Sequence, residues 1–188
     1  MKTYTIVAGV NGVGKSSFVG ATKDSMDFGI IIDADRITKE AGVDAFHGGK
    51  LAIKKIHACI DRGISFTQET TLSGHHILRT ARKVRELGYQ IHLYYIGLDS
   101  AEESVSRIEN RVRRGGHDVP SNLVQNRFVN RWTNLVSVLP YCDRAIFYDN
   151  DNGFVEVARY IDGELIPIGF YRPKWVDELA EFLRHQAL

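Results

Sequence analysis

Apolar runs recur along the chain at residues 3–9, 29–33, 64–69, 89–98 and 144–149, with hydrophobic positions at helical spacing between them. Ile77, Ala81 and Val84 share one helical face, as do Val105, Ile108 and Val112, with charged residues opposite. Strands that are apolar almost throughout are covered on both sides, and the amphipathic segments between them supply the cover. The pattern predicts an α/β fold whose mostly parallel sheet lies between two helical layers. The tail reads differently. From Phe154 to Ile168, Asp162-Gly163 separates two alternating runs, which predicts a β-hairpin added antiparallel at the sheet edge. Pro173 then opens a last helix with Val176, Leu179 and Leu183 on one face. No repeat, low-complexity tract or Pro/Ser linker divides the 188 residues, so a single domain spanning 1–188 is expected.

Open parallel sheets bind ligands beyond the carboxyl ends of their strands, and the residues there are distinctive. Gly9-Val10-Asn11-Gly12-Val13-Gly14-Lys15-Ser16 follows the run Tyr4–Ala8 and precedes Ser17-Phe18-Val19, which can open a helix. This is the full pattern G-x-x-x-x-G-K-[ST] in its strand–loop–helix context. It predicts a phosphate-loop NTPase fold that binds ATP or GTP with Mg²⁺. Gly9, Asn11, Gly12, Val13, Gly14, Lys15, Ser16 and Ser17 are the expected nucleotide-binding residues. Glycines let successive N–H groups face one anion, at the positive end of the new helix. Lys15 can reach the β- and γ-phosphates, and the Ser16 hydroxyl can hold the metal.

The second strand ends Ile32-Asp33-Ala34-Asp35. Phosphoryl transfer to a hydroxyl needs a carboxylate that takes the acceptor's proton. Asp35 is the candidate base, its alternative role being to cap the next helix. Asp33 is either structural or assists Mg²⁺. The third strand runs into Glu69-Thr70-Thr71-Leu72-Ser73-Gly74, a carboxylate and hydroxyls suited to a polyhydroxylated acceptor or to water-mediated Mg²⁺ binding. His75 and His76 are read as helix-start residues.

Lys and Arg number 24 against 23 Asp and Glu, a net charge of +1 that supplies no field for nucleic acid or membrane. No apolar stretch approaches the ~20 residues of a bilayer span, and the N-terminus carries no leader pattern. Cys59 and Cys142 lack C-x-x-C spacing and are expected as reduced thiols of a cytoplasmic protein. In this balanced chain, residues 107–131 hold Arg107, Arg111, Arg113, Arg114, Arg127 and Arg131. Arg107 and Arg111 are four apart, as are Arg127 and Arg131, so each pair can share a helical face. Gly115-Gly116-His117-Asp118-Val119-Pro120 lies between them. The segment reads as a lid whose guanidinium groups neutralise transition-state charge, with Arg113 and Arg114 solvated. His117 is read as a hinge or substrate contact.

These strings, together with Tyr148-Asp149-Asn150, resemble in order and spacing the small bacterial branch of the zeta-toxin family across about residues 1–150. The resemblance implies a kinase moving the γ-phosphate of ATP to a hydroxyl, in the best-known members the 3′-hydroxyl of UDP-N-acetylglucosamine. It also implies a small antitoxin partner. Carried onto this chain, it makes Lys15 the phosphate lysine and Asp35 the base, with Glu69 and Thr71 contacting the acceptor. The charge-stabilising arginines map to Arg107 or Arg111 and to Arg127 or Arg131, with Arg111 and Arg127 the ones expected to act. The lid has Gly-Gly-His in place of a longer segment, and the acceptor region is shorter. The acceptor therefore stays open between a sugar nucleotide and another nucleotide or metabolite. An NTP-hydrolysing switch that binds a protein remains the alternative of another class.

Overall fold

The computed structural model describes residues 1–116, 118–151 and 153–186. The first strand, β1 (Thr3–Ala8), shows why the sheet is covered on both faces. Tyr4, Ile6 and Ala8 enter one hydrophobic cluster, and Val7 enters a second. In β4 (Gln90–Ile96), Ile91, Leu93 and Tyr95 join the first cluster while Tyr94 and Ile96 join the second. This two-residue alternation sends successive side chains to opposite faces of the sheet, and both faces are packed.

The first face carries α3 (Ala45–Asp61), α4 (His76–Glu86), α7 (Arg131–Val138) and α8 (Lys174–Gln186). The other carries α1 (Lys15–Thr22) through Phe18 and Val19. The expected face Ile77, Ala81 and Val84 is buried in α4. Of the face expected in α5 (Ala101–Arg113), Ile108 is buried in a small satellite core with Val119 and Val124, and Val105 packs partly against it. Val124 lies in α6 (Ser121–Val129).

The sheet also contains β2 (Ile30–Asp33), β3 (Phe66–Thr70), β5 (Arg144–Asp149), β6 (Val155–Ile161) and β7 (Glu164–Pro167), in the order β2-β3-β1-β4-β5-β6-β7. The first five in that order pair parallel, and β6 and β7 pair antiparallel. The hairpin therefore extends the β5 edge as expected. Asp162 and Gly163 both have positive φ (52° and 89°), as a type I′ turn requires. Because β1, β2 and β3 run parallel, the loops that follow them open at one carboxyl edge.

Trp175 of α8 stacks into the first core beside Tyr95, Trp132 and Phe147. Its Nε1 donates to Asp149 Oδ1 at 2.9 Å, and the Tyr171 hydroxyl donates to the other oxygen of that buried carboxylate at 3.1 Å. The last helix thus pins the end of β5, whose next residue, Asn150, reaches the phosphate loop. Helix α3, the longest among the described residues, packs against α2 (Ala34–Ala41), and both contact β2.

Candidate active site

The loop from Gly9 to Gly14 joins β1 to α1. Gly14 has φ 97°, and a Cβ there would lie 2.6 Å from Asn150 Nδ2, which donates to the Val13 carbonyl at 2.9 Å. At Gly12, φ is 75° and a Cβ would meet the Ser104 carbonyl of α5 at 2.8 Å. Both positions exclude side chains because the loop is clasped between α5 and the end of β5. Asn11 is buried, its carbonyl accepting from Ser104 Oγ and its Oδ1 from Arg127 Nη1 at 2.8 Å. Lys15 Nζ donates to the Gly9 and Val10 carbonyls, each at 3.0 Å. Burial of that ammonium pulls its pKa down from 10.5 to about 8, against the opposing charges of Glu69, Asp35 and Asp33.

Around this loop lies a cleft of about 500 Å³. It is lined by Asn11, Gly12, Gly14, Lys15, Ser16 and Ser17 of the loop and α1, by Asp33, Ala34 and Asp35 after β2, and by Gln68, Glu69, Thr70 and Thr71 of β3 and its exit. Arg107, Arg111 and Arg127 complete the lining. The expected base, acceptor residues and two arginine groups therefore meet the phosphate loop in one space.

Asp33 Oδ1 accepts from the backbone N–H groups of Asp35 and Arg36 at 2.9 and 3.3 Å, so Asp33 is the N-cap of α2. The capping role considered for Asp35 belongs to its neighbour, and Asp35 stands exposed in the first turn, on the cleft. Glu69 accepts from Ser16 Oγ at 2.7 Å. Its pKa is raised, chiefly by burial and further by Asp33, while the Ser16 hydrogen bond and Lys15 hold it back. Thr71 Oγ1 donates to Ser73 Oγ at 3.1 Å. Between them Leu72 is 2 % exposed at φ 60°, with its N–H bonded to Thr70 Oγ1 at 2.9 Å. A leucine in that left-handed region is strained, and core burial of its side chain overrides the strain.

The arginines separate. Arg107 and Arg111 share a face of α5, and both line the cleft. Arg107 also reaches Glu103 Oε1 at 2.5 Å and the Asn150 carbonyl at 3.0 Å. Arg113 and Arg114 are exposed and lie outside the cleft. Arg127 and Arg131 do not share a face as their spacing suggested. Asn130 ends α6 and precedes α7. Arg131 there turns to Glu178 at 2.5 Å and lies over the rings of Phe128 and Trp132. Of this pair, Arg127 is the one on the cleft. Burial lowers its pKa, with Asp35 opposing that effect. Pro120 stands just before α6, as expected of the lid, and Gly116 packs on Arg111. His117 lies outside the described residues.

Two braces cross long stretches of chain: the Ser104–Asn11 contact spans 93 residues, and Asn150 reaches Val13 across 137. Ser104 had no sequence signal, whereas Asn150 stood just after an apolar strand and in the Tyr148-Asp149-Asn150 string of the family resemblance.

The site fits a triphosphate with Mg²⁺ on chemical grounds. Side-chain-free glycines leave the loop backbone open, and Ser16 and Glu69 offer hard oxygens. Among the described residues no group of three or more His, Cys, Asp or Glu could cage a metal. No helix among them is long and apolar enough to cross a membrane.

Comparison with known proteins adds independent observations. The zeta-toxin family model matches residues 46–152, more than half of the chain and wholly beyond the phosphate loop. An uncharacterized protein of Haemophilus influenzae is 35% identical over 128 residues, 64% of this chain and 88% of the relative. The crystal structure of AvrRxo1-ORF1:-ORF2 with ATP is similar over 98% of this chain, with TM-score 0.65 and 18% identity. The chain spans 63% of that protein's length. The PezAT toxin–antitoxin system of Streptococcus pneumoniae is similar over 98% of this chain and 87% of its own, with TM-score 0.59 and 18% identity. At those identities the likeness is one of fold.

Proposed function

Because the chain belongs to the zeta-toxin family, we propose that it is a kinase transferring the γ-phosphate of ATP to a hydroxyl of a small acceptor. The carrying observation is the placement of Asp35, free of any capping duty, in one cleft with Lys15, Arg107, Arg111 and Arg127. Both hydrolysis and transfer need fixed cations around the phosphoryl group, but a hydrolytic switch adds a water-positioning group whereas acceptor transfer adds a base for the acceptor hydroxyl.

Backbone N–H groups at the start of α1 cradle the phosphates, and Lys15 leaves its loop carbonyls to meet the β- and γ-oxygens. Mg²⁺, when bound beside Ser16, neutralises charge on those oxygens. Thr71 and Gln68 orient the acceptor beside Asp35. Asp35 takes the hydroxyl proton as the oxygen bonds to the γ-phosphorus and the bond to the bridging oxygen of the leaving ADP breaks. Arg111 and Arg127 stabilise the equatorial oxygens, where guanidinium charge in a partly dry cleft has most effect. A sugar nucleotide is the acceptor that the family suggests, and a small antitoxin is the corresponding partner.

The test is incubation with γ-labelled ATP and a bacterial metabolite extract. The reading requires label in an organic phosphoester, lost in Lys15→Ala. Label released only as inorganic phosphate would favour the switch.

A further inference from the structure

We propose that the buried Tyr4 is a positioning residue for the phosphoryl acceptor: it engages the Gln68 side-chain carbonyl, so that the amide N–H pair faces the cleft and binds an oxygen of the acceptor molecule other than the one that receives phosphate. The inference rests on the kinase reading above and deepens it.

Gln68 is a polar residue set in an apolar face of the sheet. It pairs in register with Ile6 of β1 and Ile32 of β2, both in the first core, and Phe66, two residues earlier on the same face, lies there too. At such a place an amide is costly unless both of its ends find partners. One end has its partner. The Tyr4 hydroxyl donates to Gln68 Oε1 at 2.6 Å, from a ring that is 0 % exposed and stacked on Phe66 with centroids 4.7 Å apart. Burial raises the Tyr4 pKa, which keeps the proton on the phenolic oxygen. That proton fixes the sense of the amide. A flipped amide would donate to the tyrosine oxygen and leave the phenolic proton without a partner in the core. The nitrogen end therefore points away from Tyr4 toward the cleft that Gln68 lines, and among the described residues no group accepts from it.

Two N–H groups and no lone pair at that point select an oxygen that accepts hydrogen bonds, a carbonyl or a further hydroxyl. The plainer alternative is that Gln68 is there to satisfy Tyr4. That alternative asks only for a hydrogen-bond-accepting side chain at position 68, whereas the positioning role needs the N–H pair as well.

The experiment measures phosphoester formation from γ-labelled ATP against increasing doses of an aqueous bacterial metabolite extract, for wild type, Tyr4→Phe, Gln68→Glu, Gln68→Leu and the double variant Tyr4→Phe/Gln68→Leu. Gln68→Glu still receives the tyrosine proton but lacks the N–H pair, and the uncharged Gln68→Leu controls for the added charge. Both should raise the half-saturating dose on the order of tenfold, the cost of leaving one hydrogen bond unmade, with the KM for ATP and the maximal rate kept. Tyr4→Phe frees the amide to rotate and should raise the dose by about 2–10-fold. Because Tyr4 acts through Gln68, the double variant should be no worse than Gln68→Leu. A Gln68→Glu variant with the wild-type dose would overturn the proposal and leave Gln68 as the partner of Tyr4 alone. So would a Tyr4→Phe variant that moves only the melting temperature, losses that fall equally on ATP, or additive losses in the double variant. A wild type that forms no phosphoester would instead remove the kinase reading itself.

Discussion

Arg127 Nη1 donates to Asn11 Oδ1 at 2.8 Å, joining the second arginine helix to the phosphate loop across 116 residues. Arg127 of α6 and Ser104 of α5 thus both brace Asn11, so the two helices that carry the cleft arginines are fixed on the phosphate loop. Such pre-placement is what electrostatic catalysis requires, since dipoles and charges that need not reorganise stabilise a transition state best.

Arg127→Ala should lower turnover by about 10²–10³-fold and also weaken nucleotide binding, because Asn11 loses its brace. Arg111→Ala should act mainly on turnover. Arg113→Ala, exposed outside the cleft, should leave both unchanged. Steady-state kinetics beside analogue binding separates the three. Equal effects from all would reduce the segment to an ordinary basic helix pair.

Asp33 and Asp35 should part cleanly. Asp33→Ala removes the α2 cap and should cost about 0.5–2 kcal/mol of stability. Asp35→Asn should lower turnover by about 10²–10⁴-fold with nucleotide affinity and melting temperature kept. Chemical denaturation and rates on both variants check this, and a stability loss confined to Asp35→Asn would contradict the capping geometry.

The Lys15 pKa, lowered to about 8 by burial, sets a pH dependence. The free protein loses this charge as pH rises through that value, while bound phosphates favour the charged form. Nucleotide affinity should therefore be highest below about pH 8 and fall above it. The stability sign is opposite. Between about 8 and 10.5 the unfolded chain binds the extra proton, so this group's contribution to stability rises with pH there. Titrations across the window should show the break in wild type and a weak, flat profile in Lys15→Met.

Trp175→Ala should destabilise by about 3–5 kcal/mol, since it empties a fully buried site and leaves Asp149 without its indole donor. Trp175→Phe, keeping most of the volume, should lose about 1–3 kcal/mol for the one Asp149 oxygen left without its donor. Urea unfolding measures both, and a melting temperature unmoved by Trp175→Ala would refute the role given to α8.

What was legible in the sequence was what short-range physics encodes. While β3, Phe66-Thr67-Gln68-Glu69-Thr70, turns polar towards the cleft, strands β1, β4 and β5 announce themselves because burial on both faces demands apolar runs. The phosphate loop does so because close backbone packing demands glycine at fixed positions, and the hairpin because Asp162 and Gly163 suit positive φ. The α2 cap stayed open in the sequence, where capping was an alternative role for Asp35, since Asp33 and Asp35 are equally good caps in isolation; the structure gives it to Asp33. Only the exit angle of β2 decides between them. The Arg127–Arg131 pair misled for a similar reason. Spacing of four implies a shared face only if the helix continues, and Asn130 ends it. Contacts such as Ser104 with Asn11 are products of tertiary closure and leave no local trace.

The most direct measurement is the partition of label from γ-labelled ATP between organic phosphoester and inorganic phosphate in one reaction with metabolite extract, for wild type and Asp35→Asn. A kinase using Asp35 as its base gives mostly phosphoester in wild type, and that product falls by about 10²–10⁴-fold in the variant. Inorganic phosphate as the main product of wild type, at a rate that Asp35→Asn leaves unchanged, would contradict the account.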